Sequence, residues 1–182
     1  MSNYAPPNFK IIFDSKKIAE SLWITDQQAL KEFKDGRVIS RFSEYWTGKL
    51  YHFVKSINTN SAGFDGTISH PLFDQLFIGV RSLTKAGIKF QQSKFIGSGR
   101  RCNQSDLIQS VYYIDFEIVV DIIDFPCVIF SVVHADKLIR LINQGDLTSS
   151  GLNRQNYYKK MFNTTHNRLD VTVIDPYTTI DY

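Results

Sequence analysis

Two apolar runs, residues 116–123 and 127–133, lie end to end with only Asp124-Phe125-Pro126 between them. They constrain the fold more than any other feature of this chain. Each is the length of a strand and far short of the ~20 apolar residues that a membrane-spanning helix needs. Rich in Val, Ile and Phe and separated by a proline-containing turn, they read as two strands of a central sheet. In the first, Asp115, Glu117 and Asp121 share one parity, while Phe116, Ile118, Val120 and Ile122 fill the other. Three acids on one strand face can bind a metal. More often such a face meets solvent or pairs with basic segments nearby.

A different period precedes these strands. Ile39, Phe42, Trp46, Leu50, Phe53 and Ile57 recur at steps of three and four, which puts them on one face of a helix whose weak point is Gly48. Ahead of it, Asp14 or Ser15 caps a helix running through Trp23. Thr25 with Gln28 forms a capping box that opens a helix ending near Gly36. From Asn58 onward the pattern turns to strands: a short one at residues 64–68, then 76–83 and 88–96 as a hairpin through Thr84-Lys85-Ala86-Gly87. Ser105-Asp106 starts a helix to about Tyr112. Residues 136–143 form a helix stopped by Gly145, residues 153–162 another, and 169–174 a last strand. Residues 1–14 read as an N-terminal arm with a short apolar piece at 11–13. Helices, a hairpin-rich sheet, a helix, more strands and a helix make a mixed α/β chain, with a central mixed sheet flanked by helices. With 182 residues and no repeat or linker, residues 1–182 are expected to form a single domain.

Hydrophobic residues at 43% and charged residues at 21% exclude a disordered chain. Two cysteines, Cys102 and Cys127, exclude a disulfide framework and a Cys-rich zinc site, and make a reducing cytoplasm the expected compartment. The opening MSNYAPPNFK lacks the charged start and apolar stretch of a signal peptide. No Walker loop, GxSxG, HExxH or GxGxxG occurs. The net charge of +3 is unevenly spread. Residues 75–105 contain no acid and carry Arg81, Lys85, Lys89, Lys94, Arg100 and Arg101, a charge of +6. Residues 147–169 again lack acids and carry Arg154, Lys159, Lys160 and Arg168, +4, so the rest of the chain holds −7. A basic surface beside an acidic cluster suits a protein that meets a polyanion; scattered solvated charge is the competing reading. Gly97-Ser98-Gly99-Arg100-Arg101 is the best anion-binding candidate, because glycines let backbone N–H groups turn toward one point. The four histidines show no metal spacing. Cys102 follows two arginines, a setting that lowers a thiol pKa, but has no evident partner base.

The order helix, short strand with an acid, hairpin, helix, buried strand resembles the core of the PD-(D/E)XK nuclease superfamily, the fold of many restriction endonucleases and related DNA-cleaving enzymes. The resemblance is carried by Arg41-Phe42-Ser43-Glu44-Tyr45-Trp46, Asn60-Ser61-Ala62-Gly63-Phe64-Asp65-Gly66, Phe77-Ile78-Gly79-Val80-Arg81-Ser82-Leu83-Thr84 and Phe90-Gln91-Gln92-Ser93-Lys94. Later elements extend the layout to about residue 145. The superfamily's signature is an acid followed, on the neighbouring strand, by Glu, Asp or Gln, any residue, then Lys. The acid and the second oxygen ligand hold Mg²⁺ against the scissile phosphate, and the lysine positions or activates water. The resemblance therefore implies a Mg²⁺-dependent endonuclease of type II restriction kind. It would act on double-stranded DNA as a homodimer, since one active site cuts one strand.

The chain departs from the signature where the second ligand should stand, since the strand after Asp65 reads Gly79-Val80-Arg81. Glycine supplies no ligand, and Arg81 keeps the charge but cannot deprotonate. In the expected hairpin, Leu83 pairs with Ile88, Arg81 with Phe90, Gly79 with Gln92 and Phe77 with Lys94, and directly paired residues point to one side. Gln92-Ser93-Lys94 is itself a Gln-x-Lys triplet. The expected site is then Asp65 and Gln92 as metal ligands, with Lys94 and the helical acid Glu44 as further catalytic candidates. A one-residue slip of register undoes this pairing. Asp74, eighteen residues before Gln92, is a rival acid, but of opposite parity to Gly79 and Arg81. Glu44 points away from the apolar stripe, so a solvated helix residue competes with its catalytic role. Asp65 competes with an ordinary turn acid before Gly66, and Gln92 and Lys94 with the polar face of a half-exposed hairpin. Arg81, Lys85, Arg100 and Arg101 are the expected DNA contacts. Gly79 and Arg81 keep open an alternative: a nuclease-like fold without catalysis that binds DNA or a protein.

Overall fold

The computed structural model describes residues 6–34, 36–57, 63–70, 74–91 and 102–177. In chain order the elements are β1 (Phe9–Ile12), α1 (Ser15–Leu22), α2 (Asp26–Glu32), α3 (Gly36–Tyr51), β2 (Phe53–Lys55), β3 (Gly66–His70), β4 (Asp74–Leu83), α4 (Gln104–Tyr112), β5 (Phe116–Asp121), β6 (Cys127–His134), α5 (Ala135–Asn143), α6 (Arg154–Phe162) and β7 (Thr172–Ile174). The strands form one sheet in the order β2-β3-β4-β5-β6-β1-β7. β4 runs parallel to β5 and β1 to β7; the other neighbours are antiparallel. The chain is therefore mixed α/β, with a central mixed sheet flanked by helices.

Local signals explain the helix starts. Asp14 accepts from the N–H groups of Lys16 and Lys17, and Thr25 and Gln28 make the reciprocal capping box. Asn103 and Asp106 make a second box at α4. Each satisfies N–H groups that a helix N-terminus leaves without an internal partner. The strands then bury both faces. On one, Trp46 of α3 packs with Ile78, Phe116, Ile118 and Phe130. On the other, Val111 of α4, Leu138 of α5 and Tyr157 of α6 pack with Val119 and Val133. All six residues of β5 are buried, which is why its sequence is nearly continuous in apolar residues.

Three expectations differ from the fold. The apolar stripe through Phe53 and Ile57 does not continue as helix. His52 takes a left-handed φ of 55°, and Phe53 turns into β2, opposite Ile68; Ile57 is fully exposed. Residues 9–12, expected within an arm, form β1 between β6 and β7, with Ile11 buried. Finally, residues 84–87 do turn, but Ile88 then exchanges both backbone hydrogen bonds with Leu152, at 2.9 Å each, and does not pair with Leu83. Leu83 pairs instead with Asp121. β4 has β5 as its second neighbour, reached through the α4 crossover that a parallel pair requires. The expected pairing of Gly79 with Gln92 rested on Leu83 facing Ile88, and that hairpin does not form.

Candidate functional site

Three adjacent register positions bring the chemistry together. Gly66 pairs with Ile78 across β3 and β4, so Asp65, one residue earlier, stands beside Gly79. Gly79 in turn pairs with Glu117 across β4 and β5. The side chain of Asp65 is fixed by the backbone, its Oδ2 accepting from the Val80 N–H at 2.7 Å. Gly79 matters for the space it leaves. A Cβ there would lie 2.7 Å from Glu117 Oε1 and 2.9 Å from Oε2, so only glycine lets that carboxylate lie across β4. Arg81 completes the group, with Nε 3.1 Å from Glu117 Oε1.

Glu117 is completely buried. Its two carboxylate oxygens and Arg81 Nε have no hydrogen-bond partner among the described residues, so the ion contact with Arg81 is close but poorly aligned. Burial pushes the Glu117 carboxyl up to about 7; the Arg81 charge opposes this and the Asp65 charge adds to it. Burial also raises the Asp65 carboxyl, against the Val80 N–H and the Arg81 charge. Glu44 raises it further and Lys55 lowers it, so both lie within electrostatic reach of Asp65. Glu44 and Lys55 themselves form an ion pair.

A buried carboxylate with neither oxygen hydrogen-bonded is costly and calls for a physical reason. The Arg81 charge, with Nε 3.1 Å from Oε1, supplies part of one. Asp65 and Glu117 are the carboxylates that could also hold a divalent cation, whose other positions water and phosphate oxygens would fill. The described residues contain no group of three or more His, Cys, Asp and Glu able to hold a metal, so an all-protein cage is not formed there.

The structure places the other candidates as follows. Gln92, Lys94, Arg100 and Arg101 lie outside the described residues. Glu44 joins the site through Lys55 and the field at Asp65. Arg81 faces inward to Glu117, and Lys85 is exposed in the turn after β4. Asp74 stands opposite His70, at the other end of the β3–β4 pair from Gly66. The three acids around β5 go separate ways. Asp115 Oδ2 accepts from the Phe77 N–H at 2.7 Å, Glu117 faces Arg81, and Asp121 is buried with Arg154 and Tyr158. Arg154 is thereby consumed internally, and Lys160 pairs with Asp146, which removes much of the free charge expected in residues 147–169. The thiol of Cys102 is pushed up, by desolvation and then by Asp106, not lowered.

The sequence groups Glu117 with Asp115 and Asp121 on one strand face and gives no sign of Lys55. The signal for Glu117 is an acid flanked by apolar residues in the interior of a strand, since an acid buried there needs a partner. No family model, curated protein or solved structure matches the chain. No helix among the described residues is long and apolar enough to cross a membrane.

Proposed function

We propose that the protein is a Mg²⁺-dependent endonuclease of restriction type that hydrolyses phosphodiester bonds in double-stranded DNA, acting as a cytoplasmic homodimer. One observation carries this: the buried Glu117 carboxylate lies against Gly79 with the Arg81 guanidinium beside it, and the half-buried Asp65 carboxylate, held by the Val80 N–H, acts on it electrostatically. The layout supports it. Asp65 heads one strand, and the next carries Gly79 and Arg81 where the resemblance would put the second ligand and the lysine. In this reading the second ligand comes from β5, on the far side of β4 from Asp65. Asp65 and Glu117 would hold Mg²⁺, which supplies Lewis-acid polarisation of a phosphate oxygen. The Val80 N–H holds Asp65 in orientation. Arg81 offsets phosphate charge and, being permanently protonated, takes no part in proton transfer.

The test is incubation of wild type and Glu117→Gln with mixed plasmid and phage DNA, with and without Mg²⁺. Discrete fragments should appear only with wild type and metal. A second reading, a nuclease-like fold that binds DNA or a protein without cutting it, is favoured by the Arg81–Glu117 contact, since an arginine can neutralise the carboxylate without a cation. Retarded DNA with no nick or fragment in Mg²⁺ would select that reading.

A further inference from the structure

The candidate site has an aromatic border. Phe77 shares a face of β4 with Gly79 and Arg81, stands two residues or about 7 Å from Gly79 along the strand, and is 38% exposed. The ring of Phe64, the residue before Asp65, meets the Phe77 ring edge-on with centroids 4.7 Å apart. Tyr113, just past the last turn of α4, closes on the residue before Phe64. A Cβ on Gly63, whose φ is 76°, would lie 2.9 Å from Tyr113 Cδ2, so glycine is what lets the chain lie against that ring. Tyr112 stands edge-on to Tyr113 at 5.3 Å. Asp115 fastens this end of α4 to β4: its N–H donates to the Phe77 carbonyl and its Oδ2 accepts from the Phe77 N–H, both at 2.7 Å. Four rings therefore gather in one patch, with Tyr112 and Tyr113 left 67% and 52% exposed. An apolar surface assembled by such contacts and still open to water marks an interaction site.

We infer that this patch stacks an unpaired base of the DNA strand whose phosphate reaches the Asp65–Glu117 site; the inference deepens the nuclease reading and rests on it for its ligand. Continuity with the site names the occupant. Phe64 is joined to Asp65 by one peptide bond, and Phe77 shares its strand face with Gly79, so a nucleotide at the carboxylates has the rings beside it. The chemistry of the patch agrees. Its exposed large apolar side chains, Phe77, Tyr112 and Tyr113, are all aromatic, and every base has a π-face that stacks on a ring whatever the sequence. The partly exposed Arg81 guanidinium lies on the same strand face and supplies a cation for the linked phosphate.

The test is titration in EDTA of oligonucleotides carrying 2-aminopurine, either unpaired opposite a one-base gap or paired in a full duplex. Fluorescence quenching reports stacking, and far-UV circular dichroism checks folding. Wild type should quench the unpaired probe and bind it more tightly than the full duplex. The Tyr112→Ala, Tyr113→Ala double variant should lose the quench and bind the unpaired probe about 5- to 100-fold more weakly, the scale of one aromatic–base stack. Its affinity for the full duplex should barely change. Tyr112→Ala alone, at the exposed end of α4, should move both readings the same way and tests the patch without disturbing Gly63. Tyr113→Phe should match wild type and Tyr113→Leu should not, because leucine keeps apolar area and lacks the ring. Trp23→Ala, which removes an aromatic 95% exposed between α1 and α2, should match wild type. A wild type that quenches neither probe overturns the inference, as does a double variant with wild-type affinity for the unpaired one. Sedimentation showing a wild-type dimer that the double variant breaks apart also overturns it, by making a second copy the occupant. Cleavage in Mg²⁺ keeps the two proposals apart. A wild type that stacks the base but cuts nothing retains the patch and removes the nuclease reading. A protein that cuts, and whose double variant binds unchanged, loses the patch alone.

Discussion

The carboxylate of Glu117 occupies the space that a side chain at Gly79 would need: a Cβ there would stand 2.7 Å from Oε1. β4 pairs with β3 over Asp74–Ile78 and with β5 over Ile78–Leu83, and the Val80 N–H beside Gly79 is tied to Asp65, so the backbone has little room to yield. Gly79→Ala should therefore push the carboxylate off its position. Overpacking of this kind costs about 1–3 kcal/mol, readable by urea denaturation, and metal-dependent cleavage should fall with it. A variant as stable and as active as wild type would show that the carboxylate is free to move.

Glu117 also makes stability depend on pH. Its carboxyl sits at about 7 in the fold against an ordinary 4.5, so the folded state holds the proton more tightly than the unfolded one. Its contribution is then complete below pH 4.5 and is lost as pH rises toward 7. The whole loss is about 3 kcal/mol at 1.36 kcal/mol per pKa unit. In EDTA, wild type should lose stability relative to Glu117→Gln between pH 5 and pH 8 by an amount of that order. Added Mg²⁺ should restore wild type, and not the variant, above pH 7. A difference between the two proteins that stays constant with pH would contradict the buried, protonatable carboxyl.

Asp65→Asn keeps an oxygen to accept from the Val80 N–H while removing the charge. The variant should fold normally and bind duplex DNA in EDTA at least as well as wild type. Its cleavage in Mg²⁺ should fall by about 10²-fold or more, the scale on which loss of one electrostatic stabiliser is felt. Full activity in Asp65→Asn would remove Asp65 from the site.

Away from the site, Arg154 bridges the buried Asp121 at 2.7 Å and Asp124 at 2.6 Å. Tyr158 adds a hydroxyl to Asp121 at 2.9 Å. Together they hold α6 against the sheet. Arg154→Met leaves a buried carboxylate with two neutral donors, the Tyr158 hydroxyl and the Ile123 N–H, and should cost about 3 kcal/mol, the low end for breaking a buried pair. Below its melting temperature the variant should bind and cut as wild type does. A melting temperature equal to wild type's would mean that Asp121 finds another partner.

Much of the chain was legible locally. The Thr25–Gln28 box, the Asp14 cap and the apolar strands β5 and β6 depend on contacts within a few residues, so the sequence by itself determined where these elements lie and that helices would cover both faces of a sheet. Asp65 belongs to the same class, since an acid heading a short strand needs only local reading. What the tertiary structure decided was adjacency. A turn at residues 84–87 is compatible with a local hairpin, yet the second edge of β4 goes to β5, some 35 residues on, because β5 buries both faces there and Ile88 finds Leu152 instead. Strand pairing uses the same backbone groups whatever the partner, so no residue type announces which strand will take an edge. That choice alone put Glu117 against Gly79.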